Sequence, residues 1–245
     1  MLNDCINISS QRKGRPPLDE ARQRERAHRI LDAAGELILR WGYDKTTIDD
    51  VARASDVAKG TIYLHWRTRE DLFAALLRRE RLDLLRAVRQ SLPNGGTLRD
   101  LIQRMVAELL ARPLMKASLL RDTDVLGKMA KVKRTQDASA ELKAGFDRYF
   151  SALMQNGALR EDLTPAEHLT VIISVVYGFL CVPQLLPPPL ALSDERLAEL
   201  TAETATEATK ATPAVLQASL EYLDHAVAAA ERKLDESLKT KERVQ

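Results

Sequence analysis

The sequence has only two cysteines, Cys5 and Cys181, far apart and without CxxC spacing. That excludes a disulfide framework and a cysteine-based zinc site. The four histidines, at positions 28, 65, 168 and 225, are scattered, and no GxSxG elbow, Walker loop or HExxH occurs. No enzyme activity, no catalytic set, no metal and no cofactor is therefore expected. The most apolar run, Leu169–Val182, is broken by Thr170, Ser174, Tyr177 and Gly178. It falls short of the ~20 residues needed to cross a bilayer. No apolar leader with a small-residue cleavage site is present, so a cytoplasmic protein without a membrane partner is expected. No stretch alternates apolar and polar residues with period two, which excludes a sheet built from half-buried strands.

Aromatic residues make up only 4% of the 245 residues, and 45% are apolar in total. Ala, Leu, Arg and Glu carry most of the chain, a balance that favours helix. The net charge of +2 is unevenly spread, with 18 Lys and Arg against 14 acids in residues 1–90 and 19 against 21 thereafter. A basic N-terminal part on a slightly acidic body points to a polyanionic partner at one end.

Helix punctuation is legible. Thr47/Asp50, Thr68/Asp71, Thr97/Asp100 and Thr164/Glu167 each place a threonine three residues before an acid. Such a threonine accepts from a free first-turn N–H, and the acid sits where the helix dipole favours it. These signals predict helices over Ala21–Trp41, Ile48–Ala54, from Ala58, and from Thr68 through Gln90. Further helices are expected over Leu98–Ala111, Leu114–Arg121, Asp124–Lys131, Gln136–Gln155, Pro165–Leu186 and Pro213–Lys239. Ser193–Thr212 is polar and rich in Ala, Thr and Glu, and reads as either a short helix or a loop. In the first helix Ile30, Leu31, Ala34, Leu37, Ile38 and Trp41 form one stripe expected to be buried.

The stretch Ser55–Trp66, "SDVAKGTIYLHW", follows the second short helix after a tight break. Two short helices joined by such a turn and braced by longer ones make a helix-turn-helix. Val57, Ile62 and Trp66 can face the core together. Lys59, Gly60, Thr61, Tyr63, Leu64 and His65 then occupy the remaining surface, and no acid occurs from Val57 to Arg69. A cation, hydrogen-bonding groups and apolar edges without a carboxylate suit a phosphate backbone with base edges beneath it.

Over Ile30–Leu77 the sequence resembles the tetracycline-repressor (TetR/AcrR) family of bacterial transcription regulators. The resemblance rests on "TTIDDVA" (Thr46–Ala52), "GTIY" (Gly60–Tyr63) and "REDL" (Arg69–Leu72), all in register. It implies that Thr47 contacts a backbone phosphate and that Lys59 and Thr61 meet phosphate or base edges. Gly60 would allow close approach, Tyr63 and His65 would hydrogen-bond phosphates, and Arg69 would clamp one. Three positions depart from the family pattern. Asp56 stands where a turn glycine is common, Ala58 where a capping serine is common, and Leu64 where His or an aromatic is common. Asp tolerates the left-handed conformation better than most residues. Leu64 offers an apolar contact to a thymine methyl.

Ahead of the first helix, "QRKGRPPL" (Gln11–Leu18) carries Arg12, Lys13 and Arg15 on a proline-stiffened arm. Lys13 and Arg15 are candidates to enter a narrow minor groove. At the other end Leu216, Leu220, Leu223, Val227, Ala230 and Leu234 alternate spacings of four and three. This heptad seam wants a partner helix and is expected to form a homodimer interface. The resemblance also implies a small-molecule pocket, with Met105, Leu109, Met129, Phe146, Tyr149, Phe150, Val176, Tyr177 and Phe179 as candidate lining.

The expectation is an all-α chain in three parts. A disordered basic arm is expected over residues 1–20, a three-helix helix-turn-helix DNA-binding domain over 21–68, and a helical ligand-binding and dimerisation domain over 69–240. Its partners are double-stranded DNA, a second copy of itself and an unidentified small-molecule effector. The alternative is a constitutive DNA-binding protein without a ligand.

Overall fold

In the computed structural model, residues 17–131, 136–213 and 217–238 are described. They form α-helices and short 3-10 turns, with no strand among the described residues. The order is α1 (Pro17–Trp41), α2 (Ile48–Ala54), α3 (Lys59–His65), α4 (Arg69–Ser91), α5 (Leu98–Leu110) and α6 (Pro113–Leu120). Then come α7 (Thr123–Leu126), α8 (Gln136–Gln155), α9 (Pro165–Cys181), α10 (Asp194–Thr209) and α11 (Gln217–Leu238). The all-α expectation holds. Helix α1 starts at Pro17, inside the expected arm. Proline suits a first helical position, where its missing N–H would have no partner anyway.

The threonine caps form as the sequence foretells. Thr47, Thr97 and Thr164 each close a capping box with the acid three residues on, and Thr68 accepts from the Asp71 N–H. At the break between α2 and α3, Asp56 has φ +53°, the left-handed conformation expected of it. Gly42, with φ +79°, ends α1. A Cβ there would lie 2.7 Å from the Asp124 carbonyl oxygen, so glycine serves both the turn and the close approach of two segments. The Tyr43 N–H beside it donates to the Val125 carbonyl at 2.8 Å.

Trp41 does not complete the α1 stripe. It is 42% exposed, and the Arg40 guanidinium lies 5.7 Å from its ring centre. The chain turns at Gly42, and Tyr43 fills the core instead, edge-on to Phe73 at 4.7 Å.

Helix α4, 23 residues and so about 35 Å long, is the central rod. It packs on α1, α5, α6 and α11. Helix α11 lies antiparallel along it, for Arg89 pairs with Asp224 and, further back on α4, Arg86 pairs with Glu231, each at 2.6 Å. The heptad seam of α11 is therefore satisfied within the chain. Leu220, Leu223, Ala230 and Leu234 are buried and Val227 packs against the core; Leu216 lies outside the described residues. The expected dimer seam is an internal contact here, for α11 packs along α4 and these side chains are covered within the chain.

Ser193–Thr212 is mostly helix, not loop. Helix α10 packs between α5 and α9. Its polar composition misleads because Thr201 and Thr209 are buried with their hydroxyls donated to the Leu197 and Ala205 carbonyls at 2.6 and 2.9 Å. Such back-bonding satisfies the hydroxyl inside the helix. Ala198, Ala202 and Ala205 let the neighbours approach closely.

Candidate nucleic-acid interface

Helix α3 has seven residues, about two turns, so few side chains set its buried face. Ile62, His65 and Trp66, at i, i+3 and i+4, all point inward, with 0%, 6% and 3% exposure. The opposite face holds Gly60, Tyr63 and Leu64, with Lys59 at its edge. Tyr63 is 46% and Leu64 52% exposed. Large apolar side chains at that exposure, side by side on a seven-residue helix, are held out for a partner. Thr61 sits at the margin, half-buried. A Cβ at Gly60 would meet nothing within 4 Å, so no contact inside the chain requires glycine there. Ala58 provides no side-chain cap, as its identity implies.

Lys59 donates to Asp49 of α2 at 2.8 Å, and this hydrogen bond holds its pKa above the usual lysine range. Both groups are exposed, and such surface pairs are screened and readily exchanged for another anion.

Three expected contacts change. His65 faces the interior, where burial pushes its pKa down although a hydrogen bond to the Leu238 backbone pushes it up. Its ring joins the recognition helix to the end of α11 and presents nothing to an outside phosphate. Arg69 is engaged with its own chain. Its Nη1 donates to the Thr46 carbonyl at 3.1 Å and the Tyr43 carbonyl at 3.5 Å, while the guanidinium lies 4.2 Å from the Tyr43 ring centre. Thr47 is exposed, but its hydroxyl donates to Asp50 at 2.6 Å and accepts the Asp50 N–H at 3.2 Å. Those bonds hold the Asp50 carboxyl below the usual range and leave the threonine no free donor. Lys13 and Arg15 lie outside the described residues.

Sequence reasoning did not single out Tyr43. Its hydroxyl donates to Glu70 at 2.8 Å, and burial followed by that hydrogen bond pushes its pKa up to about 12. Arg69 and Glu70, the first residues of α4, thus grip the loop that precedes α2. Charge-assisted hydrogen bonds contribute ~1.5–3 kcal/mol each and a cation–π contact ~0.5–2. Arg69→Ala is therefore expected to lower unfolding free energy by roughly 2–3 kcal/mol, measured by urea denaturation. An Arg69 acting only on DNA would leave the denaturation midpoint unchanged.

Of the nine candidate pocket residues, Tyr149 lines a cleft between α4, α8 and α11. Phe146 and Tyr149 each lie against the Tyr222 ring, and Phe150 lies against both of them. Leu109 of α5 is buried, and Met105 of α5, Met129 beyond α7, and Val176 and Phe179 of α9 pack against the core. Tyr177 is 43% exposed on the outer face of α9. Among the described residues no group of three or more His, Cys, Asp or Glu is placed to hold a metal, and no helix is long and apolar enough to cross a membrane.

A helix-turn-helix with an exposed, acid-free second helix, carried on a larger helical body, defines a DNA-binding regulator. The model of the tetR family of bacterial regulatory proteins matches residues 30–76. The transcriptional repressor KstR of Mycobacterium tuberculosis is 30% identical over 160 residues, covering 63% of this chain and 69% of that one. KstR of Rhodococcus jostii is 30% identical over 162 residues, covering 63% and 72%. The chain belongs to the tetR family. In fold it is similar to the fatty acid degradation regulator FadR of Bacillus halodurans, with TM-score 0.59 and 16% identity over 82% of this chain and all of that one. FadR of Bacillus subtilis, solved in complex with stearoyl-CoA, gives TM-score 0.53 and 17% identity over 73% and 96%.

Proposed function

We propose that this chain is a cytoplasmic, ligand-responsive transcriptional repressor that binds a palindromic operator as a homodimer. The observation that carries this reading is the exposed face of α3, formed by Lys59, Gly60, Tyr63 and Leu64 with Thr61 at its margin. In it Tyr63 and Leu64 read base edges or the backbone, Lys59 exchanges Asp49 for a phosphate, and Gly60 admits the duplex. Lys13 and Arg15 extend the contact into the minor groove. The DNA-binding unit ends at Thr68, and α4 joins it to the ligand-binding and dimerising body.

The second copy docks on α9. Ile173 and Tyr177, one turn apart, are exposed there, and Val182, Leu185 and Leu186 just beyond continue the strip, Leu185 at 82% exposure. A contiguous exposed apolar strip of this kind marks an interface. Pairing would let two recognition helices enter successive major grooves ~34–36 Å apart. The double substitution Ile173→Glu, Leu185→Glu is expected to halve the mass measured by light scattering. It should also weaken operator binding by roughly a hundredfold, through loss of the linked second site. A dimer of unchanged mass would move the interface elsewhere.

Ligand response is supported by the fold shared with the stearoyl-CoA-bound regulator, and by α4, which connects the DNA-facing loop to the body. The test is release of a bound genomic fragment by fractionated small-molecule extracts. One active fraction supports the reading, whereas inactivity of every fraction supports constitutive binding.

A further inference from the structure

A cleft of about 290 Å³ lies between α4, α8 and α11. It is near the lower end of the ~300–1,000 Å³ typical of ligand sites. Arg78, Arg81, Arg148, Arg232 and Lys233 line it, against the single acid Glu221. Neither Arg78 nor Arg148, both exposed, has an ion-pair partner among the described residues. Five cations from three helices around one concavity raise its positive potential well above that of an evenly charged surface. The four guanidinium forks among them match the paired oxygens of a carboxylate, sulfonate or phosphate.

The interior of the cleft is different in character. Tyr149 and Tyr222 line it together with small residues such as Gly145, Ala152 and Ala226. The two tyrosine rings lie 5.0 Å apart. Ser219 donates its hydroxyl proton to the Gly96 carbonyl at 3.2 Å, so the 3.1 Å contact between Ser219 and Tyr149 is a hydrogen bond donated by Tyr149. Tyr222, whose pKa burial pushes up to about 12, keeps its proton and has no hydrogen-bond partner among the described residues. A cationic rim over an aromatic, small-residue floor fits a molecule with an anionic head and a compact apolar body. The convex backbone of a duplex would meet the rim but could not fill the floor.

The walls of this cleft lead to the DNA-facing end. Lys233 lines it, and on the same helix Asp235 pairs with Arg24 of α1 while Leu238 meets His65 of α3. Arg78 and Arg81 belong to α4, whose first residues grip the loop before α2. We propose that the cleft between α4, α8 and α11 binds a small organic anion with a compact apolar body, and that this anion is the effector. The proposal rests on the ligand-responsive reading above.

The probe is 8-anilino-1-naphthalenesulfonate, compared with N-phenyl-1-naphthylamine, which has the same rings without the sulfonate. The full chain is expected to bind the sulfonate with roughly tenfold or greater preference over the neutral amine. The double substitution Arg78→Ala, Arg148→Ala should remove that preference without shifting the thermal midpoint, since both side chains are exposed. Saturating sulfonate should weaken duplex binding by the wild type and not by the double variant. Equal binding of the neutral amine, or undiminished sulfonate binding by the double variant, would overturn the site. Sulfonate bound in the cleft with no change in duplex affinity would overturn its role as effector site. Loss of duplex affinity and a shallower salt dependence in the double variant, with dye binding intact, would make these arginines part of the DNA surface and likewise overturn it. Failure of the wild type to bind any duplex would defeat the regulator reading alone, because the dye comparison involves no DNA.

Discussion

Tyr63→Ala is expected to raise the dissociation constant for a specific duplex by roughly 10- to 100-fold per half-site, with the fold intact. A good contact at a base edge or backbone is worth ~1–3 kcal/mol. Tyr63 contributes nothing comparable to folding, since its ring is exposed beside Leu64 on the outer face of α3. Lys59→Ala should weaken binding to all duplexes alike and lower the salt slope by about one, because lysine neutralises a phosphate rather than reading a base. Fluorescence anisotropy at several salt concentrations, with circular dichroism as the folding control, measures both. Wild-type affinity in both variants would remove α3 from the interface.

Leu223→Ala carries the other large effect. Leu223 is fully buried where α11 meets the body of its own chain. Truncating such a leucine costs ~2–5 kcal/mol through lost transfer energy and the cavity left behind. The loss should be the same at every protein concentration. A seam between two copies would behave differently, its effect growing on dilution and showing first as dissociation. Urea denaturation at protein concentrations spanning roughly two orders of magnitude decides between the two.

The caps were legible because a threonine three residues before an acid solves one local problem, the unpaired N–H groups of a helix start, whatever surrounds it. Asp56 was legible for the same reason, as the turn demands a left-handed residue from within four positions of chain. The seam of α11 was legible as a seam, but its partner was not. A heptad stripe states that something apolar lies opposite, and only the antiparallel course of α4 shows that this is the chain's own helix.

His65 and Arg69 show the limit from another side. His65 follows Ile62 by three and so shares its buried face, a phase that a seven-residue helix sets too weakly to read with certainty among bulky residues. Arg69 is basic and close to the recognition helix. Only the loop from Gly42 to Thr46, folding back beneath it, reveals two carbonyls and a tyrosine ring as its partners. The proposed ligand cleft was hard to read because its arginines, on α4, α8 and α11, are spread from Arg78 to Arg232. Of its aromatic floor, Tyr149 of α8 was among the expected lining residues and Tyr222 of α11 was not.

The central claim is that the outward face of α3 meets the DNA groove twice in each assembly. Selection of bound sequences from a random duplex pool by the full chain, run beside the Tyr63→Ala variant, tests it most directly. The account predicts that the wild type enriches an inverted repeat with half-sites about one helical turn apart, and that the variant does not. No enrichment by the wild type, or the same repeat enriched equally by the variant, would contradict it.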